Sequence, residues 1–347
     1  MPRPSLHCRL LTAPLVAAVL LPIGACAQTP SATPIPVGLA EATATITERT
    51  AYNHLLFLAS DDLRGRDTPS PGLDAAVAYI ERLYREYGVT PAGVEGSYLQ
   101  RFNFSRGQGT NVLGMIPGSD PVLRDEYIVV SAHLDHVGIG NPVNGDSIYN
   151  GADDNASGTT VLIELARVLA TLPEDQRPRR SVIVAHVSAE EYGLIGSRWW
   201  TDNPTVPIDR VVANINADMV GSDAHRDTVA VLGGEYSSLG TVIREVNGTL
   251  PELNLHLSGD LWPGEQLFFR SDQLNFMRKE IPAIFLFNGL HECYHRPCDD
   301  INFVDAGKVA RIARLVAHTV VEIANREARP QWDPAGLEQV RRMIGGR

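Results

Sequence analysis

The chain has few cysteines, and none fall in zinc-finger spacing. Cys8, Cys26, Cys293 and Cys298 are all there are among 347 residues, so a structural zinc finger is excluded. Positive charge is also short. Thirty Lys and Arg face 41 Asp and Glu, a net charge of −11, which argues against a nucleic-acid partner and against a basic membrane-binding face. No internal repeat and no second linker interrupt the globular part, so a repeat array is excluded. What is present is ordinary for a globular protein: 44% hydrophobic and 20% charged residues.

The first residues read as an export signal. Arg3 and Arg9 give a positive start, and Leu10 to Leu21 is an apolar run too short for a permanent membrane anchor. It ends in Ile23-Gly24-Ala25-Cys26, which resembles the lipobox of bacterial lipoproteins, where the cysteine is freed and acylated. Ordinary cleavage near Ala25 or Ala27 is the alternative. Loss of residues 1–25 removes two arginines and no acids, taking the charge from −11 to −13. The expectation is an exported, periplasmic or cell-envelope protein that meets the membrane only through a lipid on Cys26. Residues 26–45, rich in Pro, Thr, Ser and Ala, read as a tether. A single domain is expected over 46–347. In a compartment that permits disulfides, Cys293 and Cys298 can bridge or remain free thiols.

Helical periodicity appears in Thr47–Ala59, Leu73–Tyr87, Ser157–Ala170, Ser238–Leu250 and Ala306–Arg326. Between these lie β-branched runs at Thr110–Ile116, Tyr127–Ala132, Ser181–Ser188, Val211–Ala217, Thr228–Leu232 and Ala283–Phe287. Apolar runs alternating with helices predict an α/β fold, a mostly parallel sheet covered on both faces. The turn-rich Gly118-Ser119-Asp120-Pro121 predicts an antiparallel pairing of the runs on either side of it, making the sheet mixed.

The chemistry lies just past these runs. Tyr127–Ala132 is followed by His133-Leu134-Asp135-His136, Ser181–Ser188 by Ala189-Glu190-Glu191, and Val211–Ala217 by Asp218. Ala283–Phe287 leads into a loop with His291, Glu292 and His295, and Asp153-Asp154 precedes a helix. Ligands of open α/β sheets gather outside the carboxyl ends of the strands, so these groups are expected in one crevice. Mixed imidazole and carboxylate donors suit zinc better than magnesium or calcium. Five donors exceed what one catalytic zinc needs, whereas two ions sharing one carboxylate use them all.

Ala132-His133-Leu134-Asp135-His136, Tyr149-Asn150-Gly151-Ala152-Asp153-Asp154-Asn155-Ala156-Ser157-Gly158, Ala189-Glu190-Glu191, Asn216-Ala217-Asp218-Met219-Val220-Gly221 and Tyr294-His295-Arg296-Pro297 occur in this order. Together they resemble the two-zinc exopeptidase family that includes aminopeptidase Y, the bacterial secreted leucyl aminopeptidases and the glutamate carboxypeptidases. The resemblance implies the zinc-exopeptidase (phosphorylase/hydrolase-like) architecture, two Zn2+ ions, peptide substrates and, first among activities, an aminopeptidase. It makes Asp153 the bridging ligand, with His133 and Asp218 completing one metal site and Glu191 and His295 the other. It gives Glu190 the role of general base and implies a cis peptide between Asp153 and Asp154. No room exists between about Phe104 and Thr110 for the protease-associated insert of some relatives, so a minimal catalytic domain is expected. At Ser271-Asp272-Gln273 the chain departs from relatives that carry histidine at the third position.

Asp135, two residues after His133, is placed to accept that ligand's other ring N–H, and Asp299 is a candidate for a similar part near His295. His136 is read as a cleft-lining or hydrogen-bonding residue rather than a ligand. Plainer readings exist for the acids: Glu190-Glu191 as a helix start and Asp153-Asp154 as a helix cap. Trp199-Trp200 is read as packing a helix, and His7, His54, His186, His225, His256 and His318 as structural or surface residues. Competing functions are a glutaminyl cyclase of the same fold, a carboxypeptidase using Arg198, Arg270 or Arg296, and a non-catalytic peptide-binding lipoprotein.

Overall fold

A computed structural model describes residues 2, 37–222 and 226–345. The chain divides into two units, Met1–Ser31 and Ala32–Arg347, and every helix and strand among the described residues belongs to the second. The signal segment, Cys26, most of the expected tether and His225 lie outside the described residues. In chain order the elements are α1 (Val37–Ala44), α2 (Glu48–Leu58), α3 (Pro71–Tyr87), β1 (Thr90–Pro91), β2 (Leu99–Phe104), β3 (Gly107–Ile116), β4 (Tyr127–His133), β5 (Gly138–Val143), β6 (Asp146–Tyr149) and α4 (Gly158–Thr171). They continue as β7 (Ser181–Val187), α5 (Ile195–Asp202), β8 (Val211–Ala217), β9 (Thr228–Leu232), α6 (Ser238–Gly248), β10 (His256–Ser258), α7 (Gln273–Met277), β11 (Ala283–Phe287), α8 (Ala306–Asn325) and α9 (Pro334–Gly345).

Local chemistry fixes several of these boundaries. Thr47 and Thr50 form a reciprocal capping box at the start of α2. Ser70 caps α3, Pro71 opens it, and Gly88 ends it in the left-handed conformation. The Asp305 side chain accepts from the Lys308 N–H at the start of α8.

Nine strands form one sheet in the order β1-β3-β7-β4-β8-β11-β9-β10, with β2 pairing β3 as well. β7, β4, β8 and β11 run parallel to one another. Every residue of β7 and β8 is buried, as expected for central strands covered on both faces. Alternate side chains divide the core. Val130, Val184 and Ile215 enter the larger apolar cluster with Leu165 of α4 and Val316 of α8. Val129 and Ile183 face the other way, toward Trp200 and Phe276. Helices therefore cover both faces of a mixed, mostly parallel sheet. Among the described residues no helix is long and apolar enough to cross a membrane.

Two expectations need correction. β3 and β4 do not pair; β7 lies between them, antiparallel to β3 and parallel to β4. The intervening stretch is not a hairpin turn, because Gly118, Ser119 and Asp120 instead bond to Ser181, Pro178 and Arg179 at the start of β7. The packed body also begins before residue 46. Leu39 of α1 is buried and Thr43 Oγ1 lies 3.0 Å from His318 Nε2 of α8, so residues 37–44 belong to the fold rather than to a tether. β2 and β3 form a hairpin across Ser105 and Arg106, with no inserted domain there.

Candidate metal centre

The parallel strands bring their carboxyl ends to one edge of the sheet. His133 closes β4, Glu190 and Glu191 follow β7, Asp218 follows β8, and His291 and His295 stand on the loop after β11. Ala189, Met219 and His295 adopt positive φ of 57°, 52° and 54°. These are uncommon for side chains with a Cβ and cluster characteristically at functional sites.

The Asp154 carboxylate stands at the middle. Its Oδ1 is 3.2 Å from His133 Nε2, which is in turn 3.2 Å from Asp218 Oδ1. Its Oδ2 is 3.1 Å from His295 Nε2 and 3.7 Å from His136 Nδ1. Glu191 completes that side, with Oε2 3.2 Å from His295 Nε2 and Oε1 2.9 Å from His136 Nδ1. Two donor groups result, His133/Asp154/Asp218 and His136/Asp154/Glu191/His295, and a third, His133/Glu190/Glu191, overlaps them. Among the buried atoms with no hydrogen-bond partner are both ring nitrogens of His136, Glu191 Oε1 and His295 Nε2. Buried polar atoms are ordinarily satisfied, so this donor set fits divalent cations, and its imidazole and carboxylate chemistry fits zinc.

Asp153, expected as the bridge, faces away from both groups. Its Oδ1 accepts from the N–H groups of Gly221 (2.6 Å) and Ser222 (3.0 Å), and its Oδ2 lies 3.2 Å from His291 Nε2. With its oxygens held on that side, the carboxylate common to both donor groups is that of the next residue, Asp154. The cis peptide is correspondingly Asp154–Asn155, not Asp153–Asp154. Neighbouring side chains hold the loop. Asn155 Nδ2 donates to the carbonyl of Ala217 at the end of β8, and Ser157 Oγ donates to the carbonyl of Asp153. Asp299 accepts from the Asp153 and Asp154 N–H groups at 2.7 and 3.1 Å. It therefore anchors the backbone of this loop rather than orienting His295.

Asp135 also differs from expectation. The nitrogen Nδ1 of His133 meets the Asp135 backbone oxygen at 3.1 Å, while the nearer carboxylate oxygen is 3.8 Å away. The Asp135 carboxylate instead accepts the Glu190 N–H at 3.3 Å. Arg66, fully buried and unread in the sequence, donates to the carbonyls of Leu58, Leu134, Asn150 and Gly151. It thus ties the loop after β4 to the loop before α4. Nothing local marks this arginine; only the fold brings four carbonyls to it.

Burial pushes Asp135 and Asp299 up to about 7 and Asp272 up to about 6. Burial also lifts Glu190 well above the usual carboxylate range; His133 opposes this, while Glu191, Asp272 and Asp218 add to it. Asp154 is buried yet held well below its usual value by His133 and His295. Cys293 and Cys298 form a disulfide that brackets His295. A pocket opens onto the centre, lined by His133, Asp154, Glu190 and Asp218 and by the apolar walls of Met219, Leu267, Phe285, Phe287 and Leu290. Arg270, Ser271 and Tyr294 complete its lining, whereas Arg198 and Arg296 are not part of it. Trp200 is buried, and Trp199 stacks on Phe102, as packing residues.

Known proteins resemble this chain in sequence and in fold. Aminopeptidase YwaD of Bacillus subtilis is 27% identical over 236 residues, covering 66% of this chain and 48% of that protein. The aminopeptidase from Aneurinibacillus sp. strain AM-1 superposes with a TM-score of 0.64 at 18% identity, covering 85% of this chain and 98% of that one. The glutaminyl cyclase of Porphyromonas gingivalis also superposes with a TM-score of 0.64, at 19% identity, covering 79% of this chain and 97% of that one. At such identities the structures establish the fold alone. The chain spans less than two thirds of the length of the curated relatives it matches. Residues 111–320 match Peptidase family M28, a span that takes in every donor-bearing loop, and the chain belongs to that family.

Proposed function

We propose that the chain is a two-zinc aminopeptidase, with Asp154 as the shared ligand and Glu190 as general base. The observation that carries this reading is the Asp154 carboxylate, one oxygen beside His133 and the other beside His295. His133 and Asp218 would complete one site, Glu191 and His295 the other. Two zinc ions there would polarise the scissile carbonyl and make a water proton easier to remove. The chain's own residues do the rest. Glu190 lines the pocket beside His133 without standing in either of the two groups that share Asp154. It takes the water proton on its carboxylate and returns it to the departing amine. Asp135 accepts the Glu190 N–H and so fixes the backbone from which that carboxylate projects. Met219, Leu267, Phe285 and Phe287 would receive an apolar side chain at the cleaved position and exclude water from it.

Glu190→Gln should retain two zincs per chain and lose at least 100-fold in kcat; unchanged turnover would remove the base assignment. A panel of aminoacyl and N-blocked peptides tests the substrate class, and a free amine should be required. Arg270 at the pocket favours one second reading, a carboxypeptidase holding a substrate carboxylate. Cleavage of N-blocked peptides that depends on Arg270 would establish it. A glutaminyl cyclase would instead turn over an N-terminal glutaminyl peptide.

A further inference from the structure

We infer that His136 is a metal ligand, so that the two ions are held unequally: four protein donors for one and three for the other. The inference rests on the two-ion reading and adds a residue to it. Three observations meet at this side chain. The first is spacing. Ligands about 2.0–2.2 Å from a tetrahedral zinc lie about 3.3 Å from one another. On the His295 side the four separations are 3.1, 3.2, 2.9 and 3.7 Å, and His136 Nδ1 supplies the last two. These are the edges expected of donors around one small ion.

The second is burial. His136 is fully enclosed, its Nε2 has no hydrogen-bond partner, and its Nδ1 faces the carboxylates of Glu191 and Asp154. A buried imidazole kept for packing would be poorly placed here, since buried polar atoms normally find partners. A bond from Nδ1 to a cation accounts for the nitrogen that faces Asp154 and Glu191. The third is the cradle. Gly151 has φ +62°, and a Cβ built on it would stand 2.4 Å from His136 Cγ. The chain thus has no side chain where the ring must pass to reach Glu191.

The consequence is a division of labour. A zinc with four protein donors is closed, the pattern of structural sites, whereas three donors leave a position for water or substrate. The pocket respects this division. It is lined by His133, Asp154 and Asp218, and not by His136, Glu191 or His295. The His133 ion is therefore the one that meets substrate, and the His136 ion is the anchored one.

Zinc-loaded wild-type and His136→Gln proteins are dialysed against a graded chelator series, and zinc per chain is counted. The wild type should release its ions in two steps. In His136→Gln the second step should fall by at least tenfold in chelator concentration. Glutamine can still hydrogen-bond to Glu191 but is a poor zinc ligand, so an unmoved second step overturns the proposal. X-ray absorption at the zinc edge reads the same question in the wild type at one equivalent of zinc, should the variant not fold. Two imidazoles at about 2.0 Å are expected, and a single imidazole refutes the assignment. Fewer than two zincs in the fully loaded wild type would strike the two-ion reading instead, while the imidazole count would still judge His136.

Discussion

Asp153 and Asp154 are neighbours in sequence whose carboxylates serve opposite sides of one loop. The first is used up by the N–H groups of Gly221 and Ser222 and by His291, and the second stands between two groups of donors. Their substitutions should therefore separate. Asp154→Ala should lose both zincs, as counted by metal analysis. Asp153→Ala should keep the capacity to load two but lower the urea midpoint, at a cost of about 3 kcal/mol for the buried partners it leaves unpaired. Loss of both ions in Asp153→Ala alone would restore the bridge to that residue. The choice between the two is not legible in the sequence, because both are acids, both precede α4, and a one-residue slip reverses which one faces the cleft. The part played by His136 is hidden for a related reason. Its spacing from His133 does not set its direction, which depends on a glycine fifteen residues away.

At the scale of elements, legibility follows burial. The runs Val211–Ala217, Thr228–Leu232 and Ala283–Phe287 form β8, β9 and β11 with the expected limits, because strands packed on both faces are near-continuous apolar runs, broken in β8 only by the buried Asn214 and Asn216. The hairpin β5–β6 carries no such pattern, since most of β5 is exposed, and its pairing comes from turns rather than from a core. Strand order is less legible than strand position. Nothing in β3 or β4 states that β7 will come between them; that depends on how β7 buries all of its residues. The loop after β11 is the least regular donor-bearing element, and the Cys293–Cys298 bond closes it around His295. Opening that bond enlarges the set of conformations available before a metal binds, and ordering the loop then opposes binding. Reduction, or Cys293→Ser with Cys298→Ser, should weaken zinc retention about tenfold in chelator competition, an effect of about 1.4 kcal/mol. Equal retention in oxidised and reduced protein would show that the loop is held without it.

For the molecule as a whole, acid tolerance should be limited by buried histidines outside the donor groups. His186 of β7 is buried with Tyr84 Oη 2.8 Å from its Nε2. Burial lowers its pKa from 6.5 to about 3. Below pH 6.5 the unfolded chain takes up a proton that the folded chain refuses, so stability falls as pH drops toward 3. His318, lowered by burial to about 4, acts in the same direction. Between pH 7 and 4.5 the His186 contribution should be on the order of 2 kcal/mol. Urea titrations of metal-free wild type and His186→Gln would expose it as a pH-dependent gap between them; a gap that does not change with pH would rule it out. The beginning of the chain carries a separate prediction. Cys26→Ser should move the protein from the membrane to the soluble fraction, if a lipid on that cysteine is what holds it there.

Arg66 has one further consequence. Its guanidinium gathers carbonyls from α2, from the loop after β4 and from the loop before α4, so the scaffold itself holds the donor-bearing loops in register. If it holds the ions proposed above, such a centre should exchange them as a lock accepts keys, without the chain having to fold again around each one. Which divalent ion it took up would then be governed by what its surroundings supply, as much as by the donors themselves.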